Sequence, residues 1–204
     1  MCGDQLAELL AGLIDRRRGI VFVTGGSGAG KSSACIAAAR ILRRCSLRVG
    51  GVVAPRLLVA GETIGYDVVD VRSGERRELA RHRPPGTAVG RFFMRAGGQA
   101  FADQALEHAA RSARIVFVDE VGPWELQGGG LAGPLRRLLS RPRILVLVVR
   151  SGLVGRAGRV FAVPAERVWE VRVCPGPGTP RPAGNVAPMI RAGAEAIQGG
   201  GTPR

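Results

Sequence analysis

Residues 20–32 read Ile20-Val21-Phe22-Val23-Thr24-Gly25-Gly26-Ser27-Gly28-Ala29-Gly30-Lys31-Ser32, and the fold follows from how this stretch changes character. Its first five residues are apolar or β-branched without a break, the pattern of a strand covered on both faces. A glycine-rich run follows. From Lys31 to about Arg44 the chain is rich in Ala, Ile and Leu, which reads as a helix. Residues 25–32 match the phosphate-cradle pattern G-x-x-x-x-G-K-[ST] in full, between the strand and the helix that the pattern requires. Glycines let the backbone curl so that successive N–H groups aim at one anion with no side chain in the way. The helix start adds its positive end. In such a loop Lys31 places a compact cation on the β- and γ-phosphates, and Ser32 offers a hydroxyl to Mg²⁺. Candidate nucleotide-binding residues are therefore Gly25, Gly26, Ser27, Gly28, Ala29, Gly30, Lys31, Ser32 and Ser33. A dinucleotide fingerprint fits poorly, because Ser33 stands where the third glycine of G-x-G-x-x-G belongs.

The rest of the chain supplies more strands and helices around this unit. Residues 1–18 read as a short helix with Leu6, Leu9, Leu10 and Leu13 on one face, stopped by Arg16-Arg17-Arg18-Gly19. A second strand spans about 48–54. Residues 63–71 and 75–80 flank Arg72-Ser73-Gly74 and read as a hairpin, so an antiparallel element is inserted into a parallel sheet. Residues 98–113 repeat Phe101, Ala105, Ala109 and Ala113 at helical spacing. Strands are expected at 115–119, 144–149 and near 167–173, and a helix at 131–140. From Pro175 onward Gly and Pro dominate, so 1–174 is assigned as the domain and 175–204 as a loosely packed tail with a short helix at 187–197.

Composition narrows the function classes. A chain of 204 residues with 46% hydrophobic and 23% charged residues is ordinary globular material, neither disordered nor fibrous. No apolar run reaches the ~20 residues of a membrane span, and the first residues lack a basic leader, so no membrane partner or signal peptide is expected. Cys2, Cys35, Cys45 and Cys174 show neither C-x-x-C nor metal spacing, which favours reduced thiols and a cytoplasmic location. The formal charge is +14, yet Lys31 is the only lysine among thirty basic residues. Such uniform arginine usage reads as a chain-wide bias. With aromatic residues at 4% and none interleaved with the basic runs, nucleic acid is an unfavoured partner.

A second acid is needed to hold Mg²⁺ from a neighbouring strand. Ile115-Val116-Phe117-Val118-Asp119-Glu120 ends four apolar residues in two carboxylates. Asp119 is the candidate metal partner of Ser32. Glu120, with Lys31, is the candidate catalytic residue, placed to orient or deprotonate a water. Asp119-Glu120-Val121-Gly122 also fits the D-x-x-G of guanine-specific switches, but their base-reading motif needs a second lysine and there is none. An arginine near the γ-phosphate is open between Arg56, Arg95 and Arg150. Trp124 reads as a packing anchor before a base platform, and Cys35 as buried filler.

Together G-G-S-G-A-G-K-S at 25–32, G-V-V-A-P-R at 51–56, I-G-Y-D-V-V-D-V-R-S-G-E at 64–75, V-G-R-F at 89–92 and D-E-V-G-P-W-E-L at 119–126 resemble a family of small broad-specificity nucleoside-triphosphatases that has a human cancer-related member. The resemblance implies an α/β P-loop NTPase, RecA-like, with a three-layer core and a mostly parallel sheet. It also implies Mg²⁺-dependent hydrolysis of ATP, GTP and other nucleoside triphosphates, with Gly122 and Glu125 as lesser site candidates. Two other functions remain open at this point. One is a small-molecule or nucleotide kinase on the same core, with no clear lid and the Arg-rich stretch 76–95 as the candidate for one. The other is a nucleotide-dependent binding module acting on nucleic acid or cofactor-assembly proteins. Oligomeric state is not readable from the sequence.

Overall fold

The computed structural model describes residues 1–16, 18–163 and 168–173. Its strands are β1 (Gly19–Thr24), β2 (Val49–Val53), β3 (Arg56–Val59), β4 (Glu62–Asp70), β5 (Arg76–Arg81), β6 (Thr87–Val89), β7 (Phe92–Met94), β8 (Ile115–Val121), β9 (Ile144–Val149) and β10 (Val168–Arg172). Its α-helices are α1 (Gly3–Gly12), α2 (Lys31–Arg44), α3 (Ala96–Ser112), α4 (Pro123–Leu126), α5 (Ala132–Leu139) and α6 (Val154–Val160). All the strands share one sheet, in the order β10-β1-β9-β8-β2-β4-β5-β7-β6, with β3 paired to β4.

The five strands from β10 to β2 are parallel. Those with continuous apolar runs lie in the middle, where both faces are covered: β1 and β9 are buried at every position. Side chains alternate between the two faces, so β8 sends Ile115 and Phe117 to one core and Val116 and Val118 to the other. The first core packs under α1 and α2 through Leu6, Leu10, Ala38 and Leu42. The second packs under α3, α5 and α6 through Leu106, Leu135 and Ala157. That is the expected three-layer α/β arrangement.

The antiparallel insertion is larger than a hairpin. Between β2 and α3 the chain makes β3 to β7, all joined by antiparallel pairs. The hairpin at 70–76 is present, tightened by Asp70, which accepts from the Arg72 amide at 2.8 Å and the Ser73 hydroxyl at 2.9 Å. Residues 76–95, read as a lid, are instead the sheet strands β5, β6 and β7 and their connections. The domain boundary at 174, the tail 175–204 and the helix at 187–197 lie outside the described residues.

Candidate active site

Parallel strands all point their carboxyl ends at one edge, and that edge is where open α/β sheets bind ligands. Here it collects the loop after β1, the ends of β8 and β9, and the start of β3. Gly25 carries φ 148°, and a Cβ there would lie 2.5 Å from the Val173 carbonyl oxygen, so only glycine fits beside the end of β10. Gly28 has φ 80°, and the Arg56 guanidinium lies against it, 2.8 Å from where a Cβ would stand. A turn closes from the Ala29 amide to the Gly26 carbonyl at 3.2 Å. The first intrahelical bond of α2 is Ala34 N–H to Gly30 O at 2.8 Å, which leaves the amides of Lys31, Ser32 and Ser33 as the donors of the helix start. Positions 25–33 thus run from the end of β1 through a turn into the first residues of α2.

Lys31 is buried, 8% exposed, and its Nζ donates to Gly25 O at 3.0 Å and Gly26 O at 2.8 Å. Asp119, 3% exposed at the end of β8, accepts from the Ala54 amide at 3.0 Å. The Ser32 side chain is close enough to that carboxylate to lower its pKa. Burial pushes the Asp119 pKa up to about 6, against the lowering effect of Ser32, the Ala54 amide and Lys31. A hydroxyl beside a buried carboxylate is a pair of hard oxygen ligands. Cys35, one helical turn below, is buried, and its thiol pKa is raised first by that burial and then by Asp119. It is packing, as expected.

Glu120 leaves the β8–β9 ladder, which shifts register between Asp119 and Val121. Its Oε1 accepts from Arg150 Nε at 2.9 Å, with 31% of the Glu120 side chain and 57% of the arginine exposed. Arg150 follows β9, the strand lying between β1 and β8. Of the three candidate arginines, two therefore reach this edge: Arg56 against the glycine loop and Arg150 on Glu120. Arg95 is committed elsewhere, donating to Pro85 O and pairing with Glu78 at 3.5 Å.

Glu125 lies beside Glu120: a Cβ on Gly122 would stand 3.3 Å from Glu120 Oε1 and 3.4 Å from Glu125 Oε2. Glu125 is 8% exposed and its Oε2 accepts from the Gly122 amide at 2.9 Å, capping the short helix α4, with burial raising its pKa. Trp124 is half-buried against its own Gly129-Gly130 loop, which supports the packing reading. One neighbour escaped sequence reasoning. Tyr66 on β4 is half-buried, and its hydroxyl pKa is raised by burial and then by Glu120, with Arg150, Arg56 and Arg91 opposing. Only the pairing of β4 beside β2 brings it there.

A family model described as NTPase matches residues 20–163. The chain belongs to this nucleoside-triphosphatase family. Among its curated relatives, nucleoside-triphosphatase THEP1 of Methanopyrus kandleri is 34% identical over 133 residues, covering 64% of this chain and 74% of that one. THEP1 of Methanothermobacter thermautotrophicus is 30% identical over 153 residues, covering 72% and 88%. The crystal structure of THEP1 from Aquifex aeolicus superposes with a TM-score of 0.60 at 18% identity, over 76% of this chain and 90% of that one. The solution structure of a human cancer-related nucleoside triphosphatase gives 0.57 at 23% identity, over 91% and 100%. These two structures show the P-loop fold, and the resemblance drawn from the motifs is borne out. Among the described residues of this nucleoside-triphosphatase, no helix is long and apolar enough to cross a membrane.

Proposed function

We propose that this nucleoside-triphosphatase hydrolyses nucleoside 5′-triphosphates to diphosphate and phosphate, with Mg²⁺ as cofactor and little selectivity for the base. The observation that carries the reading is the buried Asp119 carboxylate at the end of β8 with Ser32 beside it, next to a glycine loop whose lysine is buried as well. The amides of 25–33 receive the phosphates, and Lys31 exchanges its two loop carbonyls for phosphate oxygens. Ser32 and Asp119 would hold the Mg²⁺; when bound, the ion neutralises charge on the β- and γ-phosphoryl oxygens. Among the described residues no cluster of three His, Cys, Asp or Glu groups occurs, which suits an ion completed by phosphate and water. Glu120 orients the attacking water and takes its proton at the carboxylate, and Arg150 fixes that carboxylate from one side. Arg56 adds positive charge at the mouth of the loop.

Water as acceptor is favoured over a small alcohol or acid because 76–95, the one stretch read as a kinase lid, is built into the sheet. Domain limits of 1–174, with 175–204 as tail, belong to this proposal. So does a cytoplasmic setting, supported by the free thiols Cys2, Cys35 and Cys45. The test is phosphate release from ATP, GTP, CTP and UTP, with and without Mg²⁺, by wild type, Lys31→Ala and Glu120→Gln. Rates within a few-fold across bases, loss without Mg²⁺, and a drop of about 100-fold or more in Glu120→Gln are expected. Turnover that appears only with an added hydroxyl or carboxyl acceptor would transfer the protein to the kinases. A sharp preference for one base would remove the claim of low selectivity.

A further inference from the structure

We infer that the pole of the sheet opposite the glycine loop holds a second anion site, for a small phosphate- or carboxylate-bearing ligand. A cavity of about 150 Å³ opens there, at the first residues of β1 and β9. Arg18, Arg141 and Arg143 line it together with an apolar wall that includes Leu139, Leu145 and Phe161. It lies the length of β1, six residues or about 20 Å, from the substrate loop.

Arg143 separates this cavity from an ordinary basic surface. It is only 6% exposed. Two of its donors hold the fold together, since Nη1 reaches Ala109 O at 3.2 Å and Nη2 reaches Ala110 O at 2.9 Å, closing the carboxyl end of α3. Its Nε is buried and has no hydrogen-bond partner among the described residues. Native interiors rarely leave such a donor unmade, and each case calls for a partner. Among the described residues none of the three arginines has an ion pair. Burial lowers the Arg143 pKa, and the like charge of Arg141 beside it lowers it further.

A cluster of guanidinium groups without ion pairs, set beside a hydrocarbon wall, is answered by an oxyanion on a small apolar body. Guanidinium groups match the paired oxygens of phosphate and carboxylate alike. Size sets the class. Drug-sized ligands occupy about 300–1,000 Å³, so the enclosed part of this cavity matches a phosphate or a short-chain carboxylate.

The experiment compares melting temperatures of Lys31→Ala and of Lys31→Ala/Arg18→Ala/Arg141→Ala in inorganic phosphate, in butyrate, and in chloride of equal ionic strength. The shared Lys31→Ala change weakens the substrate loop equally in both proteins. Arg18 and Arg141 are exposed, so their loss leaves the core packed. At ten times its Kd the ligand raises the melting temperature by about 3–6 °C, and removing the two arginines abolishes the rise. A rise with phosphate assigns a phosphoryl ligand, and one with butyrate a carboxylate. Equal rises in both proteins, or none beyond chloride in either, overturn the site. Titration calorimetry reads the same difference without heating: binding heat for the first protein and none for the second.

Discussion

Replacing Asp119 with Asn should make the metal-free protein more stable at neutral pH while abolishing its turnover. The carboxylate is 3% exposed and its pKa rises from 3.8 to about 6, with burial the largest cause. A carboxyl whose pKa is raised on folding binds its proton more tightly in the native state. Its stabilising effect is complete below the unfolded value and is lost as pH climbs through the native one. The difference of about two pKa units corresponds to about 3 kcal/mol, lost between about pH 4 and pH 7. Asn keeps an oxygen for the Ala54 amide and carries no charge to desolvate. Urea unfolding in EDTA at pH 4, 5, 6, 7 and 8 reads this directly. Wild type and Asp119→Asn should lie together at about pH 4 and separate by about 3 kcal/mol at about pH 8, with the variant the more stable. Parallel curves across the whole range would show that burial does not penalise this carboxylate, and the reasoning about the metal pair would fail with it.

Arg150→Ala removes a charged hydrogen bond from Glu120, and because the arginine is more than half exposed the loss belongs at the low end of its range, about tenfold in kcat. Arg150→Lys should recover part of it in a phosphate-release assay, and a kcat that rises in Arg150→Ala would show the arginine restraining Glu120. Gly51→Ala tests the join between β2 and β8. Gly51 has φ 98° and an added Cβ would collide with the Phe117 carbonyl oxygen, so a loss of about 2–5 kcal/mol is expected in urea unfolding. An unchanged midpoint would refute that close approach.

How far the sequence was legible depended on how much each segment owed to its own residues. Ile20–Thr24, Ile115–Val118 and Ile144–Val149 are strands buried on both faces, and an unbroken apolar run is the direct trace of that burial. The glycine loop was legible because its backbone demands particular residue types. By contrast β6 and β7 have three residues each, too short to show a period, and they exist only because they pair with each other and with β5. α6, Val-Gly-Arg-Ala-Gly-Arg-Val, has two glycines and a single buried residue, so no apolar stripe announces it. At α4 a signal was present: Pro123 opens the helix and Glu125 stands where a capping carboxylate belongs, which accounts for its burial. The approach of Arg56 to Gly28, and of Tyr66 to Glu120, depends on the antiparallel extension folding back beside β2, and separation along the chain carries no record of it.

The lysine seated on the carbonyls of Gly25 and Gly26 has a wider consequence. Its ammonium is already turned to two carbonyl oxygens before any nucleotide arrives, so the incoming phosphate trades oxygen for oxygen. Only a compact, freely turning head can serve two carbonyls in one state and phosphoryl oxygens in the next; a flat, forked guanidinium is larger and fixed in its donor directions. A chain that uses arginine at every other basic position has kept its solitary lysine at the seat where shape, and not charge alone, decides.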